Sequence, residues 1–226
     1  MKRNKKTKPG DAFLEERSVL VEQWLKEGKI PTSSKVIPVN ESFSTKQWIL
    51  PTVQALEILR NARSFALTEC ECRIHYKRCE NPVDICLMIN DAADKYVREG
   101  KARYVSINEA KNILKHANDR GLVHLTIYNP DQYVYSLCSC CSCCCHDLQL
   151  LSVFGRRDLI SHSEYITQTK MDICAHCGTC VERCIFGARS WKDDKMSYAA
   201  DACYGCGLCV TQCPSNAIVM KLRKVC

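Results

Sequence analysis

Residues 172–188 read DICAHCGTCVERCIFGA, and residues 201–217 read DACYGCGLCVTQCPSNA. The cysteines of the first run are Cys174-x2-Cys177-x2-Cys180-x3-Cys184; those of the second are Cys203-x2-Cys206-x2-Cys209-x3-Cys213, followed by Pro214. The runs are an internal repeat at an offset of 29 residues, which maps Asp172 onto Asp201, Gly178 onto Gly207, Val181 onto Val210 and Ala188 onto Ala217. Each run packs three thiols into one short loop and places a fourth a helical turn later. The loop can wrap three corners of an iron–sulfur cube, and the fourth thiol is too far along the chain to close the same cube. Each run is therefore expected to lend its fourth cysteine to the other's cluster. That gives Cys174, Cys177, Cys180 and Cys213 to one [4Fe–4S] cluster, and Cys203, Cys206, Cys209 and Cys184 to a second. Zinc ribbons pair two CxxC knuckles across a longer gap, so the doubled x2 spacing favours iron over zinc or disulfides.

Over roughly residues 163–226 the chain resembles the bacterial-type two-[4Fe–4S] ferredoxin. The resemblance implies a ferredoxin-like fold and low-potential electron transfer. One position departs from the pattern: the proline that follows the fourth cysteine is present as Pro214 but replaced by Ile185 after Cys184. That residue shapes a turn and is not a ligand.

Two further cysteine groups lie upstream. The first is Cys70-x-Cys72-x6-Cys79-x6-Cys86. The second is Cys138-Ser-Cys140-Cys141-Ser-Cys143-Cys144-Cys145-His146, six thiols in eight residues. Adjacent side chains on a strand point to opposite faces, so this segment is expected either to be a loop wound around something or to serve two sites. Cys138, Cys141 and Cys144 repeat the CxxCxxC spacing. The favoured reading is one or two additional iron–sulfur clusters. The simplest partition gives Cys70, Cys72, Cys79 and Cys86 to one cluster and four of the six vicinal thiols to another, although the groups could interleave or share a larger cluster. His75 and His146 are candidate imidazole ligands, and a zinc site or uncomplexed reactive thiols are the competing readings. The vicinal cysteines are similar in character to the CCG modules of heterodisulfide reductases, but no Cys-Cys-Gly is present. The whole chain resembles an uncharacterised group of archaeal and bacterial iron–sulfur proteins in which a cysteine-rich domain precedes a ferredoxin domain.

The remaining sequence supplies the scaffold. Asp11 is placed to cap a helix from Ala12 to Glu27, with Phe13, Leu14, Val21, Trp24 and Leu25 on its apolar face. Val36-Ile37-Pro38-Val39 suits a short edge strand, and Pro51 opens a helical stripe reaching about Phe65. Asn81-Pro82 suits the start of a helix running to Arg98, with Cys86 in its early turns. Ser106 and Glu109 form a capping box for a helix ending at Gly121. Val123, Leu125 and Ile127 alternate as a strand, Asn129-Pro130-Asp131 turns, and Tyr133–Leu137 returns. His124 on that hairpin is read as structural. The expected fold is α+β, in three parts: a basic arm and N-terminal helix (1–30), a cysteine-rich α+β domain of helical and mixed character (31–162), and a ferredoxin-like domain holding two [4Fe–4S] clusters (163–226).

Composition narrows the function. Nineteen cysteines in 226 residues, with no apolar stretch behind the basic N-terminus and no membrane span, point to a cytoplasmic, reducing setting and an anaerobic host. The formal charge of +7 counts cysteine as neutral. Two oxidised clusters, each about −2 with its thiolates, bring it to about +3, so the basic excess is no argument for nucleic acid. Only nine glycines are present, with no GxGxxG after a strand and no P-loop, so no flavin or NAD site is evident. Electrons must come from, and go to, a redox partner protein. The expected function is electron transfer. The alternatives are a reductase whose upstream site reduces a disulfide or another small substrate, and a carrier or assembly factor for clusters.

Overall fold

The computed structural model describes residues 11–27, 34–37, 61–128, 134–157 and 160–223. A seven-stranded, mainly antiparallel sheet organises the larger part. Its strands are β1 (Ser34–Ile37), β2 (Phe65–Glu69), β3 (Asp84–Ile89), β4 (Ala102–Tyr104), β5 (Val123–Tyr128), β6 (Val134–Cys140) and β7 (Ile160–Ser161), in the order β4-β2-β3-β6-β5-β1-β7. The helices are α1 (Ala12–Lys26), α2 (Glu71–Tyr76), α3 (Asp91–Arg98), α4 (Ile107–Asp119) and α5 (His146–Phe154). The mixture fits an α+β class.

Strand alternation gives the sheet two different faces. Phe65, Leu87, Ile89 and Leu137 pack with Val105, Ala110 and Leu114 of α4 and its approach. The opposite face carries Val123, Leu125 and Cys140, and α1 and α5 cover it through Leu14, Val21, Leu148 and Leu150. Two of the caps expected from the sequence are formed: Asp11 Oδ1 accepts from the Leu14 amide at 3.1 Å, and Ser106 Oγ accepts from the Glu109 amide at 3.1 Å. The first sets the start of α1 so that its apolar stripe meets the sheet.

Four local expectations are corrected. No helix runs from Pro82 to Arg98; Asp84–Ile89 is a central strand, and only Asp91–Arg98 is helical. The run DICLMI is buried on both faces between β2 and β6, and such short apolar runs fit a buried strand as well as a helix until tertiary pairing decides. Cys86 therefore sits on a strand, without support from a helix dipole. Phe65 opens β2 instead of ending a helix, because its partner Ile89 lies directly opposite. β1 is not an edge: it pairs with β5 on one side and β7 on the other. β6 runs three residues beyond Leu137, so Cys138 and Cys140 are strand residues and the loop starts at Cys141. The basic arm, the segment 38–60 including the expected helix start at Pro51, and the Asn129-Pro130-Asp131 turn lie outside the described residues.

The C-terminal part holds two two-stranded sheets, β8 (Tyr165–Thr169) with β11 (Ile218–Leu222) and β9 (Arg189–Lys192) with β10 (Lys195–Tyr198). The sequence repeat is also a structural one. A 3-10 turn at Met171–Ile173 precedes α6 (Thr179–Arg183), and a 3-10 turn at Ala200–Ala202 precedes α7 (Leu208–Thr211). Gly178 and Gly207 start the two helices with nearly the same left-handed φ, 78° and 76°. This part is fastened to the C-terminal end of α4: Arg183 Nη2 donates to the carbonyls of Asn118 and Asp119, and Thr211 Oγ1 donates to Asn118 Oδ1 at 3.1 Å. Ile185, Phe186, Tyr204 and Leu208 pack onto the core that includes Leu148 and Leu150.

Gly205 has φ +71°, and a Cβ there would lie 2.0 Å from the Tyr165 carbonyl oxygen. Both the conformation and the backbone neighbour resist relaxation. Gly205→Ala is expected to cost about 2 kcal/mol or more and to lower the melting temperature of anaerobically purified protein. An unchanged melting curve would contradict the packing described.

Candidate metal centres

The eighteen described cysteines are all free thiols and fall into four groups. Two groups belong to the repeat. Cys174, Cys177, Cys180 and Cys213 line one small cavity, together with Met196, Pro214 and Ile218. Cys184, Cys203, Cys206 and Cys209 line another, together with Arg189, Tyr198 and Leu208. Each cavity thus takes three sulfurs from one run and the fourth from the other. Backbone and hydroxyl donors point at several of them: the Ala217 amide at Cys213 Sγ (3.3 Å), Thr179 Oγ1 beside Cys177 Sγ (3.4 Å) and Thr167 Oγ1 beside Cys203 Sγ (3.7 Å).

A buried arginine stands between these two cavities. Arg189, 3% exposed, donates to Thr169 Oγ1 at 2.9 Å and Thr167 Oγ1 at 3.0 Å, lies 4.0 Å from Cys180 Sγ, and stacks its guanidinium on Tyr198. Burial works against its charge, but the Cys209 and Cys180 sulfurs outweigh it and hold its pKa above the ordinary arginine value. In return, Cys209, which burial pushes up, reaches only about 11.

The upstream groups form at one end of the large sheet. β2 and β6 are both antiparallel to β3, so both finish where β3 begins. Cys70 follows β2, Cys72 is in the first turn of α2, Cys86 is near the start of β3, and Cys138 and Cys140 close β6. Leu87 faces Leu137, so one step along, Cys86 meets Cys138. These five sulfurs and Cys145, the residue capping α5, surround a cavity of about 290 Å³ that also has Phe13, Arg17, Met88, Tyr135, Cys141 and His146 on its wall. The sulfurs interact in sequence: Cys72 with Cys70, Cys70 with Cys86, Cys86 with Cys138, Cys138 with Cys140, and Cys140 with Cys145. From Cys72 to Cys140 their acidities alternate. Donation from Cys72 and Cys86 brings Cys70 down to about 2. Contact with Cys140 and Cys86 lowers Cys138. Cys86 and Cys140, each between two sulfurs, are pushed up. Neighbouring thiolates this close cannot all ionise unless a cation joins them.

The fourth group is Cys79, Cys141, Cys143 and Cys144, whose sulfurs all lie within 4.8 Å of one another. The upstream thiols are therefore divided neither by sequence block nor by the CxxCxxC spacing. Cys79 leaves its own block to join the loop, and Cys138 separates from Cys141 and Cys144. The vicinal run sends its sulfurs to two groups, some to the large cavity and some to the tetrad.

Of the two candidate histidine ligands, His146 lines the large cavity, with Nδ1 3.5 Å from Cys72 Sγ and Nε2 buried without a partner among the described residues. Burial, with Arg17 and His75 adding to it, pushes its pKa down to about 4, so the ring is neutral and able to ligate. His75 instead stacks on Phe13, 4.4 Å between centroids. His124 is buried on the hairpin with Nδ1 3.1 Å from Ser139 Oγ, and burial alone brings it down to about 3.

Two buried arginines escaped the reading of the sequence, Arg189 and Arg73. Arg73 donates to the Pro82 carbonyl at 2.7 Å and to the Ser139 carbonyl. Burial disfavours its charge, yet the Cys70, Cys141 and Cys140 sulfurs keep its pKa raised. It stands where both upstream groups feel it. Nothing in a single sequence marks these arginines beyond a surplus of basic residues.

Residues 173–218 match the family model for the 4Fe-4S dicluster domain. No curated protein matches the chain. The C-terminal part is thus a 4Fe-4S ferredoxin-type domain, and the cysteine groups make the chain an iron–sulfur, metal-binding protein. Among the described residues no helix is long and apolar enough to cross a membrane.

Arg73→Met removes the donor to two carbonyls and the cation beside two sulfur groups. It is expected to cost about 3 kcal/mol or more in thermal unfolding of the anaerobic protein. Arg73→Lys should recover only part of this, because an ammonium cannot span both carbonyls. Equal stability of Arg73→Met and the parent would contradict the role given to the guanidinium.

Proposed function

We propose that the chain is an electron-transfer protein or subunit that exchanges low-potential electrons with a partner redox enzyme. The observation that carries this reading is the pair of C-terminal cavities, each lined by three sulfurs of one run and one of the other. Cys174, Cys177, Cys180 and Cys213 would hold one [4Fe–4S] cluster, and Cys203, Cys206, Cys209 and Cys184 a second. Cys70, Cys72, Cys86, Cys138, Cys140 and Cys145 would hold a further iron–sulfur cluster in the cysteine-rich domain, proposed to span 31–162 ahead of a ferredoxin-like domain at 163–226. The chemistry these groups supply when bound is one-electron exchange at low potential.

The residues of the chain give this arrangement a direction in space. Cys177 is exposed, and Met171, Ile173 and Trp191, each about half exposed, flank that end as an apolar border suited to a docking partner. Cys206 faces the other way, packed against the core that contains Cys140 and Cys145 of the upstream cavity. Arg189 lies between the two C-terminal sites and stabilises the more negative, reduced state of both. A redox partner would meet the Cys177 end, and the upstream cavity would be the inner terminus. A reducing compartment suits so many free thiols.

A second reading rests on the same cavity. Even with Cys141 left to its own group, it offers six sulfurs where a cube needs four, and it has Arg17 and a neutral His146 on its wall. With ligands to spare, that site suits a reductase acting on a disulfide or another small molecule.

Iron and acid-labile sulfide on anaerobically purified protein should exceed about eight of each per chain, since each cube holds four irons; about eight iron and no more would remove the upstream cluster. In Arg189→Gln, the two C-terminal potentials should fall by about 50–100 mV, the size of a lost unit charge near each site. Unchanged potentials in a variant with full iron content would show that the guanidinium does not face those centres.

A further inference from the structure

We infer that Cys79, Cys141, Cys143 and Cys144 form a closed tetrathiolate site for a single zinc ion, separate from every iron–sulfur centre. Three sulfur pairs are already close: Cys79–Cys141 at 3.7 Å, Cys79–Cys144 at 3.9 Å and Cys143–Cys144 at 3.8 Å. All four sulfurs lie within 4.8 Å of one another. Four sulfurs bound tetrahedrally at about 2.3 Å from one ion stand about 3.8 Å apart, which is the spacing found. A cube spreads its four terminal sulfurs more widely, because each is bound to a different iron and the irons are themselves separated. The tetrad thus has room for one ion and none for a cluster.

The set is complete and sheltered. Cys141, Cys143 and Cys144 are buried and Cys79 is half-buried, so all four ligand positions belong to the protein and none is left for water or substrate. A ligand set of this kind is structural: it closes the metal off instead of presenting it. The surroundings fit a dianionic centre. Asn81 Nδ2 donates to Cys79 Sγ at 3.4 Å, and the Arg73 guanidinium bonds to Cys141. Arg78, which brings Cys79 into place, donates to the Cys143 carbonyl at 3.3 Å.

The position explains what such a site would do. The ion ties the loop between α2 and β3 to the turn after β6. Cys140 and Cys145 flank that turn immediately on either side, and both belong to the six-sulfur cavity. The zinc therefore fixes the wall of the neighbouring redox site while taking no part in electron exchange itself. Of the ten upstream thiols, four gather in the tetrad and seven line the large cavity, with Cys141 of the tetrad standing on the wall between the two.

The test uses the full chain purified anaerobically from medium containing both iron and zinc. Metal analysis should give about one zinc per chain, and absorption fine structure at the zinc edge should show four sulfur neighbours and no iron neighbour. In Cys79→Ser, zinc should fall at least about tenfold while the iron content and the low-temperature EPR signals of the clusters persist. Should that variant not accumulate, the fine structure of the parent protein decides by itself. Zinc absent from the parent, nitrogen or oxygen in its first shell, iron bound by the tetrad, or loss of iron together with zinc would each overturn the assignment.

Discussion

Sulfur crowding is the constraint on which this structure depends. Eighteen described thiols are drawn into four groups, most of them buried, and no disulfide joins any two of them. A buried thiolate is costly, and neighbouring thiolates repel. The conflict is visible around the large cavity, where contact with neighbouring sulfurs lowers Cys70 and Cys138 while Cys86, which stands between them, is pushed up. Metal binding, by neutralising several thiolates together, is what would remove the conflict. The chain meets the remaining negative charge with guanidinium groups that it also buries, Arg73 beside the upstream groups and Arg189 between the C-terminal ones. Folding and metal loading are therefore expected to be linked, as in other proteins whose sites exist only in the folded state.

The two halves solve the gathering problem differently. In the C-terminal part the loops do it alone. Three sulfurs come from one glycine-bearing turn, the fourth from the end of the other short helix, and the exchange locks the repeat units together. In the upstream part the large sheet does it. Two parallel-running strands separated by an antiparallel one place Cys70, Cys86, Cys138 and Cys140 at one end, and the turn after β6 sends its sulfurs to two destinations. The halves meet where Cys206, Leu208 and Tyr204 pack against the core that holds Cys140 and Cys145. That shared core is the contact through which, in the function proposed, the C-terminal ferredoxin-type domain would serve an upstream centre.

The legibility of these features follows the same division. Cysteine spacing within one loop is a local property, so a 4Fe-4S ferredoxin-type domain could be read directly from Cys174–Cys213. Caps such as Asp11 and Ser106 were legible for the same reason. The upstream partition was not, because it depends on strand register. Cys79 and Cys141 are 62 residues apart, and no spacing rule reports that the start of β3 lies beside the end of β6. The run Asp84–Ile89 carried no clear periodicity because both of its faces are buried, and Pro82 suggested a helix start that the sheet overrode. Arg73 and Arg189 were invisible: a buried arginine and a solvated one look alike until the sulfurs around them are placed.

The most direct measurement is anomalous diffraction at the iron edge from anaerobically grown crystals of the full chain. Strong iron density is expected inside each C-terminal cavity, with the fourth sulfur of each coming from the opposite run, and inside the six-sulfur cavity. None is expected at the Cys79 tetrad. C-terminal cavities without iron, or sulfur–sulfur bonds joining the two cysteine runs, would contradict the account at its foundation.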